Sequence, residues 1–485
     1  MLLADFYKVG HVTQYPSDVT QVWSNWTPRT SRVEGQNTVV HFGLQYFIKD
    51  YLIRRFDQGF FKRPLADVLD SYRSVVKTCL NVDNPKADHI EWLHRLGYLP
   101  VAIYSIPEGF STSLNVPSMV ITNTLPEAYW LPNYLETMLS MVLWKPSTSA
   151  TTAQRFRKIG KKWATAAGEK DFGFLDWQFH DFSMRGMSGL EDAVLSGMGH
   201  LTSFSGTDTI PAIVAANEYY AAGLCGGSVP ATEHSVMCAG GKDGEFETFR
   251  RLIEDVYPTG IVSIVSDTWD LWKVLTDFVP RLKDTILARN GKIVIRPDSG
   301  DPVKIILGDK DNPGIIPEPK FYGVLNLLAN ALGVTGRMIN NAGAIYGDSI
   351  NEERAESILR GCVQNLHLSP YNMVFGVGSF TYEYRTRDTY GFAMKATAVR
   401  RGGEVIDIFK DPVTDDGGKR SHKGIPLVYR TPESTEDNPV YFVEQGGTPY
   451  GLDNCAFEKV YEDGRLLIDT DFATIRQRVR AWERA

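Results

Sequence analysis

Three acidic residues each follow a short apolar run with no more than two residues between. Asp267 ends "IVSIVSD", Asp298 ends "KIVIRPD" and Asp348 ends "GAIYGD". An aspartate before a helix is commonly an N-cap, and that interpretation is open for each of them. Gathered at one edge of a sheet, they could instead hold Mg²⁺ over a polyphosphate, or face a sugar whose anomeric carbon gains positive charge.

An arginine and several glycines accompany these acids. Arg296 stands two positions before Asp298 in "IRPDSGDP". Its guanidinium could neutralise a phosphate, and an ion pair with a neighbouring aspartate is an equally weighted interpretation. Gly347, Gly376 and Gly378 end further apolar runs, where a backbone N–H could approach a phosphate without an intervening side chain. As turn glycines they would need no ligand.

His234 lies in the segment "GGSVPATEHSVMCAGG", residues 226–241, with Glu233 beside it. Segments of small residues between glycine pairs are typical of mobile catalytic loops, whereas a lone loop histidine is usually a polar surface residue. An imidazole can accept a phosphoryl group at neutral pH if a carboxylate fixes its tautomer. Spacing alone leaves both interpretations open.

The elements that must position these residues are short apolar runs that end in polar or glycine-bearing clusters. These runs occupy residues 177–186, 201–209, 261–270, 292–302, 343–349 and 373–379. Helix-like stretches lie between most of them, at 188–200, 268–288 and 351–366. Strand, polar loop and helix in repetition predict a parallel α/β sheet. We expect an α/β barrel with its functional groups at the carboxyl ends of the strands, and an open doubly wound sheet is the competing fold.

The flanking regions predict a second, α+β domain. Helix-like segments occur at 64–80 and 86–96, and residues 391–409 predict a hairpin that turns at Gly402-Gly403. We expect residues 1–145, completed by residues 385–485, to form this domain, and residues 146–384 to form the barrel. The charged stretch 411–424 is predicted to be a surface loop.

Composition excludes several classes of protein. A net charge of −7 over 485 residues gives no basic surface for nucleic acid. No P-loop, GxGxxG or HExxH motif is present. Five scattered cysteines predict buried thiols in a reducing cytoplasm, and the lack of a long apolar run predicts neither targeting to a membrane nor a span across one.

Motifs along nearly the whole chain point to one family. They read "DFYKVGHVTQYP", "HFGLQY", "PEGF", "HDFSMRG", "GTDT", "VPATEHS", "VSIVSDTWD", "IRPDSGDP", "YGD", "FGVGS", "RTRD" and "FKDPV" followed by "KRSHKG". In this order they closely resemble the nicotinamide phosphoribosyltransferase family. The resemblance implies a type II phosphoribosyltransferase fold, an irregular α/β barrel with an additional α+β domain, in a homodimer with active sites at the interface. It also implies that nicotinamide and phosphoribosyl pyrophosphate give nicotinamide mononucleotide and pyrophosphate with Mg²⁺, a step of NAD salvage.

The same resemblance implies a nicotinamide site. Phe182 and the Tyr7 of a second subunit would sandwich the ring, Arg185 would lie against it, and Ser263 would be a further contact. Asp208 of "GTDT" would accept the carboxamide N–H, although as a plain helix N-cap it would say nothing about substrate. Nicotinate would place a second carboxylate about 4 Å from Asp208. The electrostatic repulsion between the two charges would cost roughly 4 kcal/mol at an effective dielectric of about 20. That penalty is a discrimination of about a thousandfold.

Phosphate and sugar contacts are also implied by the resemblance. His234 would be autophosphorylated by ATP as co-substrate, with Asp267 orienting its ring, Glu233 adjacent and Asp298 acting at the reaction centre. No side chain is assigned as a metal ligand, because Mg²⁺ would be held mainly through phosphates. The ribose and phosphate groups would be bound by Arg296, Gly347, Asp348, Gly378, Ser379, Asp5, Arg29, Arg387, Lys395, Lys410 and Lys423.

Two departures keep alternatives open. Ala393 stands where the family carries a phosphate-binding serine, and the family's "FGSGGG" element is "FGVGSF" here. Nicotinate phosphoribosyltransferase activity is the alternative within the enzyme class. A catalytically silent nucleotide-binding dimer of the same fold is the alternative outside it, and Ala393 is the residue that favours it.

Overall fold

The computed structural model describes residues 1–311, 318–410, 421–435 and 438–483. The chain divides into two compact units. Unit one comprises residues 1–151, 215–223 and 385–485, and unit two comprises residues 152–214 and 224–384. The predicted domain limits stay a prediction, because compactness alone does not show that a unit folds independently. Of the predicted surface loop 411–424, residues 411–420 lie outside the described residues.

Unit two is built on a five-stranded parallel sheet. In sheet order its strands are Phe179–Asp181, Met373–Val377, Ala342–Tyr346, Gly291–Arg296 and Gly260–Val265. Their Val- and Ile-rich runs are buried, as expected for parallel strands covered on both faces. A short two-stranded ladder joins Val334–Thr335 to Met338–Ile339.

Isolated parallel bridges continue this sheet into a closed ring. Asp181 bridges to Thr207, Gly206 bridges to Gly227, and Ala231 bridges to Ser263 in the strand at the opposite edge. The predicted irregular α/β barrel is thereby confirmed. The predicted strand at 201–209 is reduced to its bridging pair 206–207, because the helix Leu190–Leu201 occupies the start of that run.

Helices surround the barrel strands and bury one apolar face each. In Val324–Leu332, Leu325, Leu328 and Leu332 recur at helical spacing and are 0–2% exposed. The predicted helix 268–288 consists of four short segments. The first three follow one another directly over residues 271–281, and the fourth starts at Lys283, shortly after Pro280. The helical segments of unit two after residue 166 are Leu175–Gln178, Met184–Gly186, Leu190–Leu201, His234–Ala239, Glu245–Arg251, Leu252–Val256, Leu271–Lys273, Val274–Phe278, Val279–Arg281, Lys283–Ala288, Pro302–Leu307, Pro319–Tyr322, Val324–Leu332, Glu352–Gln364, Pro370–Asn372 and Ser379–Tyr382.

Unit one contains a seven-stranded antiparallel sheet. In sheet order its strands are Glu404–Asp407, Ala393–Arg401, Val19–Thr27, Met119–Asn123, Val101–Ser105, Glu458–Glu462 and Arg465–Leu466. The predicted hairpin is confirmed, because Arg401 pairs with Glu404 and both intervening glycines have positive φ. Two smaller ladders pair Thr38–Val40 with Ser111–Ser113, and Ile425–Arg430 with Tyr441–Gly447.

The helices of unit one include both that the sequence predicts there, Leu65–Leu80 and Asp88–Leu96. The others are Phe6–Val9, His11–Gln14, Leu44–Tyr46, Phe47–Arg55, Asp57–Phe61, Pro126–Ala128, Leu131–Tyr134, Arg387–Thr389, Pro449–Asn454, Phe472–Val479 and Ala481–Glu483. Two helices, Glu136–Ala166 and Ile210–Tyr220, contribute residues to both units. Among the described residues, no helix is long and apolar enough to cross a membrane.

Candidate active site

A cavity of about 380 Å³ occupies the barrel of unit two. A barrel of this type is normally filled by inward side chains, so an interior space needs an explanation. Alternate residues of most strands line the space, as strand geometry predicts, whereas Gly343, Ala344 and Ile345 line it consecutively. The inward residues of the strands are His180 with Phe182, Ile261 with Ser263, Lys292 with Val294 and Arg296, Gly343 with Ile345, and Val374.

Two glycines make room for the ring of Phe182. A Cβ at Gly376 would overlap this ring, and a Cβ at Gly347 would lie 3.1 Å from its Cδ2. The sequence interpretation of both glycines as points of phosphate approach missed this steric role. Arg296 lies beside the same ring, with its Cζ 5.2 Å from the ring centroid. An aromatic face and a guanidinium therefore meet at one end of the cavity.

The acids at the strand ends are not the helix caps. Asp267, Asp298 and Asp348 each precede a helix, but none of their carboxylates caps it. The capping carboxylate or amide oxygens accept backbone N–H groups of the first turn at 2.9–3.1 Å. These oxygens are those of the true N-cap residues, Asp270, Asp301 and Asn351. Each N-cap residue stands three positions after the strand-end acid of its loop. The N-cap interpretation is wrong for all three strand-end acids, which leaves them available for other chemistry.

Asp267 connects the "IRPDSG" loop to His234. Its Oδ2 accepts the backbone N–H of Asp298 at 2.8 Å and the hydroxyl of Ser299 at 2.6 Å. Its buried Oδ1 makes no hydrogen bond within the described chain and lies 4.0 Å from Nε2 of His234. The other ring nitrogen of His234 lies 3.2 Å from the hydroxyl of Thr268. One nitrogen of the half-exposed imidazole is thus within hydrogen-bond distance of Thr268, and the other faces the Asp267 carboxylate without a hydrogen bond.

The pKa of Asp298 is shifted by burial and by the charged side chains at this end of the barrel. Burial raises the pKa of its carboxyl, and the neighbouring carboxylates of Asp267 and Asp348 raise it further. The positive charges of Arg296 and His234 oppose that shift in pKa. Nη2 of Arg296 lies 3.9 Å from Oδ2 of Asp298, so the ion-pair interpretation holds only as a long contact. The structure brings these five residues together.

Asp208 lies on the wall of the same cavity. Its backbone N–H donates to the carbonyl of Asp181 at 3.0 Å, and its Oδ1 accepts the hydroxyl of Ser228 at 2.5 Å. No backbone N–H of the following helix donates to its carboxylate in the described residues, so the N-cap interpretation is wrong here too. Ser263 lines the cavity as well, with a buried hydroxyl that has no hydrogen-bond partner in the described structure.

Glu233 and Asp348 are exposed, as Asp208 is. Glu233 stands at the N-cap of the short helix His234–Ala239, and its carboxylate accepts the hydroxyl of Ser235. Asp348 is exposed, yet its charge is close enough to raise the pKa of Tyr346 beyond the effect of burial.

The last predicted residues of unit two form a separate contact. A Cβ at Gly186 would overlap the hydroxyl of Ser379, so the loop that carries Arg185 abuts the start of the helix Ser379–Tyr382. Gly378 precedes that helix in extended conformation. The Arg185 side chain is exposed.

The remaining predicted residues belong to unit one. Asp5, Tyr7 and Arg387 line a cavity of about 220 Å³. Oδ2 of Asp5 accepts the hydroxyl of Thr137 at 2.8 Å, and Tyr7 is 60% exposed. The structure therefore brings these three predicted contacts to one place in unit one.

Cations gather around Lys395 in unit one. Burial lowers the pKa of the Lys395 ammonium, and nearby positive charges lower it further, while Glu136 opposes them. Clustered cations that depress one another's proton affinity form a natural anion site. The nearby positive charges are those of Arg29, Lys8 and Lys410. Lys423 instead lies with its ammonium 5.4 Å from the ring centroid of Phe409.

Sequence reasoning missed several residues of the barrel cavity. Ser228 stands in the same glycine-bearing segment as His234. Thr268, which directly follows Asp267 and contacts His234 outside the cavity lining, was missed as well. Lys292 lines the cavity four positions before Arg296, so alternation along the strand could have found it. Burial lowers the pKa of its ammonium. His180 lines the cavity with a pKa lowered to about 4, mainly by burial.

Side chains alone do not form a metal centre in the described residues, where no group of three or more His, Cys, Asp or Glu side chains is arranged to hold an ion. The barrel mouth instead combines carboxylates, an arginine and a histidine beside an aromatic ring. Such a site suits the transfer of a phosphorylated sugar to a flat heteroaromatic acceptor.

Comparisons with known proteins agree with that class. Residues 177–454 match the nicotinate phosphoribosyltransferase (NAPRTase) family, and residues 1–56 match the nicotinamide phosphoribosyltransferase N-terminal domain. A nicotinamide phosphoribosyltransferase of Acinetobacter baylyi is 45% identical over 98% of this chain and 96% of its own length. One from Mycoplasma pneumoniae is 35% identical over 88% of this chain and 97% of its own. The chain belongs to the nicotinamide phosphoribosyltransferase family.

Solved structures support the fold. A nicotinate-nucleotide pyrophosphorylase of Pyrococcus furiosus superposes with a TM-score of 0.58 at 15% identity, covering 99% of this chain and 94% of its own. Human nicotinic acid phosphoribosyltransferase gives 0.56 at 16% identity, covering 99% and 93%. At these identities the likeness concerns architecture only.

Proposed function

We propose that this protein transfers the phosphoribosyl group of phosphoribosyl pyrophosphate to nicotinamide, giving nicotinamide mononucleotide and pyrophosphate in NAD salvage. The observation that carries the proposal is the barrel cavity, which places Phe182, Asp208, Ser263 and Arg296 around one space. Its volume of about 380 Å³ falls in the range of small-molecule sites. The full-length relatives of the same family support the reaction.

Recognition of the amide follows from the donors and acceptors of the cavity. An ionised Asp208 only accepts hydrogen bonds, and the amide group of nicotinamide donates two. The unpaired hydroxyl of Ser263 can donate to the amide oxygen. The ring of Phe182 gives the pyridine a flat apolar surface, against which Arg185 would close from the exposed loop.

In the proposed reaction, the pyridine nitrogen forms a bond to C1 of the ribose as the bond from C1 to the pyrophosphate oxygen breaks. Pyrophosphate leaves with the electron pair. Asp298 lies beside Arg296 at the cavity mouth, where a carboxylate stabilises positive charge developing on the sugar. Arg296, Gly347, Asp348, Gly378 and Ser379 would bind the ribose and its phosphate.

Magnesium fits the chemistry of this mouth. Oxygen donors are what Mg²⁺ prefers, and it commonly binds through one or two carboxylates together with substrate phosphates. Asp298 and Asp348 supply such oxygens, whose mutual repulsion a cation would relieve. Bound Mg²⁺ would neutralise charge on the departing pyrophosphate.

ATP is proposed to act through His234. A ring nitrogen of His234 would attack the γ-phosphorus, and the bond to the ADP oxygen would break. Support comes from the Asp267 carboxylate, which lies 4.0 Å from one ring nitrogen and would orient the ring, and from the Thr268 hydroxyl, which lies 3.2 Å from the other nitrogen. The phosphorylated site would bind the sugar substrate more tightly. A His234→Ala variant is expected to keep basal turnover and lose stimulation by ATP; full stimulation of that variant would contradict the phosphohistidine.

A homodimer is proposed to complete each site. Exposed apolar residues Leu190, Ile210 and Leu224 on unit two, and Tyr7 on unit one, support an interface. Tyr7 of one subunit would stack on the nicotinamide held by Phe182 of the other, and the unit-one residues Asp5, Arg29, Arg387, Lys395, Lys410 and Lys423 would contact phosphates.

Subunit complementation tests that arrangement. Co-expressed Tyr7→Ala and Phe182→Ala chains are each expected to be nearly inactive alone, but a heterodimer contains one intact site. Recovery of about half of the parent activity per heterodimer supports a shared site, and no recovery contradicts it.

The free cysteines at all five positions support the proposed cytoplasmic location.

The function itself is tested by pyrophosphate release with nicotinamide or nicotinate. We expect kcat/KM to favour nicotinamide by about a thousandfold, and Asp208→Ala to reduce that preference. If the parent protein used nicotinate as well as nicotinamide, a nicotinate phosphoribosyltransferase would be favoured. Asp208 would then not determine the preference for the amide. Absence of release with either substrate would favour the silent nucleotide-binding dimer.

A further inference from the structure

The Ser228 hydroxyl and the Asp208 carboxylate form a charge-assisted hydrogen bond in the barrel cavity. The Ser228 Oγ to Asp208 Oδ1 distance is 2.5 Å, at the short end of the range for hydroxyl–carboxylate pairs. Both residues line the cavity. Ser228 is the one side chain in the described structure that donates to this carboxylate.

Backbone pairing across the barrel wall fixes this contact. The Thr207 N–H donates to the carbonyl of Gly227 at 2.9 Å, and the Gly227 N–H donates to the carbonyl of Ser205 at 2.9 Å. Each donor of the pair immediately precedes Asp208 or Ser228. The two side chains therefore meet because the segments that carry them are paired in register, although they are twenty positions apart in the sequence.

A hydroxyl carries a single proton to donate, which decides what the pair presents to a ligand. Because the Ser228 proton is directed at Oδ1 of Asp208, only lone pairs remain on Ser228 and on the carboxylate. At this pair a ligand that donates hydrogen bonds is accepted, and a ligand group that carries only acceptors finds no donor on Ser228 or Asp208.

We propose that Ser228 is a positioning residue that sets substrate selectivity through Asp208, in addition to the charge of Asp208 itself. This inference rests on the proposed function. Ser228 holds Oδ1, so that Oδ2 is directed to the amide of nicotinamide. Asp208 in turn prevents the Ser228 hydroxyl from turning to donate to the carboxylate of nicotinate. Selectivity for the amide is then a property of the pair.

A double-mutant cycle tests the coupling, with kcat and KM measured for nicotinamide and nicotinate in Ser228→Ala, Asp208→Ala and the double variant. Ser228→Ala is expected to raise KM for nicotinamide about tenfold and to change kcat little, because a hydrogen bond to a charged group is lost. Ser228→Thr keeps the hydroxyl and is expected to restore KM.

Nicotinate gives the discriminating result. Asp208→Ala is expected to gain nicotinate activity, because the freed Ser228 hydroxyl can donate to the substrate carboxylate. The double variant is expected to lose about tenfold of that gain. A merely structural residue would not show this dependence, since its loss would lower the activity with nicotinamide and with nicotinate alike in every background.

Thr285→Val is the matched control, because the Thr285 hydroxyl also donates to a carboxylate, that of Glu254 at 3.1 Å, on a helix outside the cavity. It is expected to match the parent with both substrates. Equal nicotinate activity in Asp208→Ala and the double variant would overturn the inference while leaving the proposed function intact. Failure of the parent to prefer nicotinamide would overturn the proposed function first.

Discussion

Two sets of polar residues occupy the same loops of the barrel and do different things. The mouth acids, Asp267, Asp298 and Asp348, stand at the strand ends, and the cap residues, Asp270, Asp301 and Asn351, stand three positions later. The cap residues satisfy the first backbone N–H groups of their helices. The helices are already capped by other residues, and the mouth acids lie near one another: burial raises the pKa of Asp298, and the carboxylates of Asp267 and Asp348 add to that shift. Helix capping and the clustered charges of the barrel mouth thus belong to different residues of the same loops.

The largest expected effect is the loss of activity when one of the mouth acids is removed. Asp298→Ala is expected to lower kcat/KM by about 100- to 1000-fold, because it removes a charge beside the reaction centre. The backbone N–H that Asp298 donates to Asp267 stays in place, so the free energy of unfolding should not fall. Steady-state pyrophosphate release measures the first and urea unfolding the second. A large loss of stability would place Asp298 with the cap residues.

The next effect concerns the glycine that seats the aromatic ring. Gly376→Ala forces a Cβ into the ring of Phe182, and overpacking of this kind costs about 1–3 kcal/mol. We expect KM for nicotinamide to rise roughly 10- to 100-fold if the strain displaces the ring. Gly59→Ala is the control, since a Cβ there meets nothing within 4 Å. An unchanged KM would show that the position of this ring does not govern binding.

A smaller effect is expected on the side of the cap residues. Asp301→Ala and Asn351→Ala should each lower the free energy of unfolding by about 1 kcal/mol, through loss of the N-cap hydrogen bonds. Their kcat/KM should stay within about threefold of the parent, far from the loss expected for a mouth acid. Thermal unfolding and steady-state kinetics on the same samples check both. Near-complete inactivation with unchanged stability would erase the distinction between the two sets.

The smallest effect is a dependence of stability on pH. Because burial raises the folded-state pKa of Asp298, the protonated carboxyl favours folding below its ordinary pKa, and that contribution is lost as pH rises through the raised value. Asp298→Asn cannot ionise, so its stability relative to the parent should increase as the pH rises above the ordinary aspartate pKa of about 4. Urea unfolding across this range measures the difference. A relative stability that falls with pH would mean that Arg296 and His234 outweigh burial.

Local patterns were sufficient for the architecture. Apolar runs ending in polar clusters predicted the barrel, and paired glycines predicted the hairpin turn at Gly402-Gly403, which the register of its strands confirms. Both features depend on residues close in sequence, where periodicity and turn preference act directly. The run at 201–209 was the exception, since its Ser, Gly and Thr residues sustain a bridge but no full strand.

The partners of the site residues could not be read in the same way. Sequence left both the N-cap and the ligand interpretations of Asp208 and Asp298 open, because a cap and a catalytic acid look alike in a loop. The hydrogen bond from Ser228 to Asp208 and the seat that Gly376 gives to Phe182 join residues that are distant in the chain.

By itself, the amino-acid order indicated that polar groups would end successive parallel strands and share one edge of the sheet, and it favoured a barrel over an open doubly wound sheet. Only the tertiary structure decided which oxygen caps a helix, which hydroxyl meets Asp208 and why the barrel interior stays open. Strand and helix formation follow from local conformational preference and periodic burial, whereas hydrogen-bond partners are set by backbone pairing between remote segments, which no local pattern encodes.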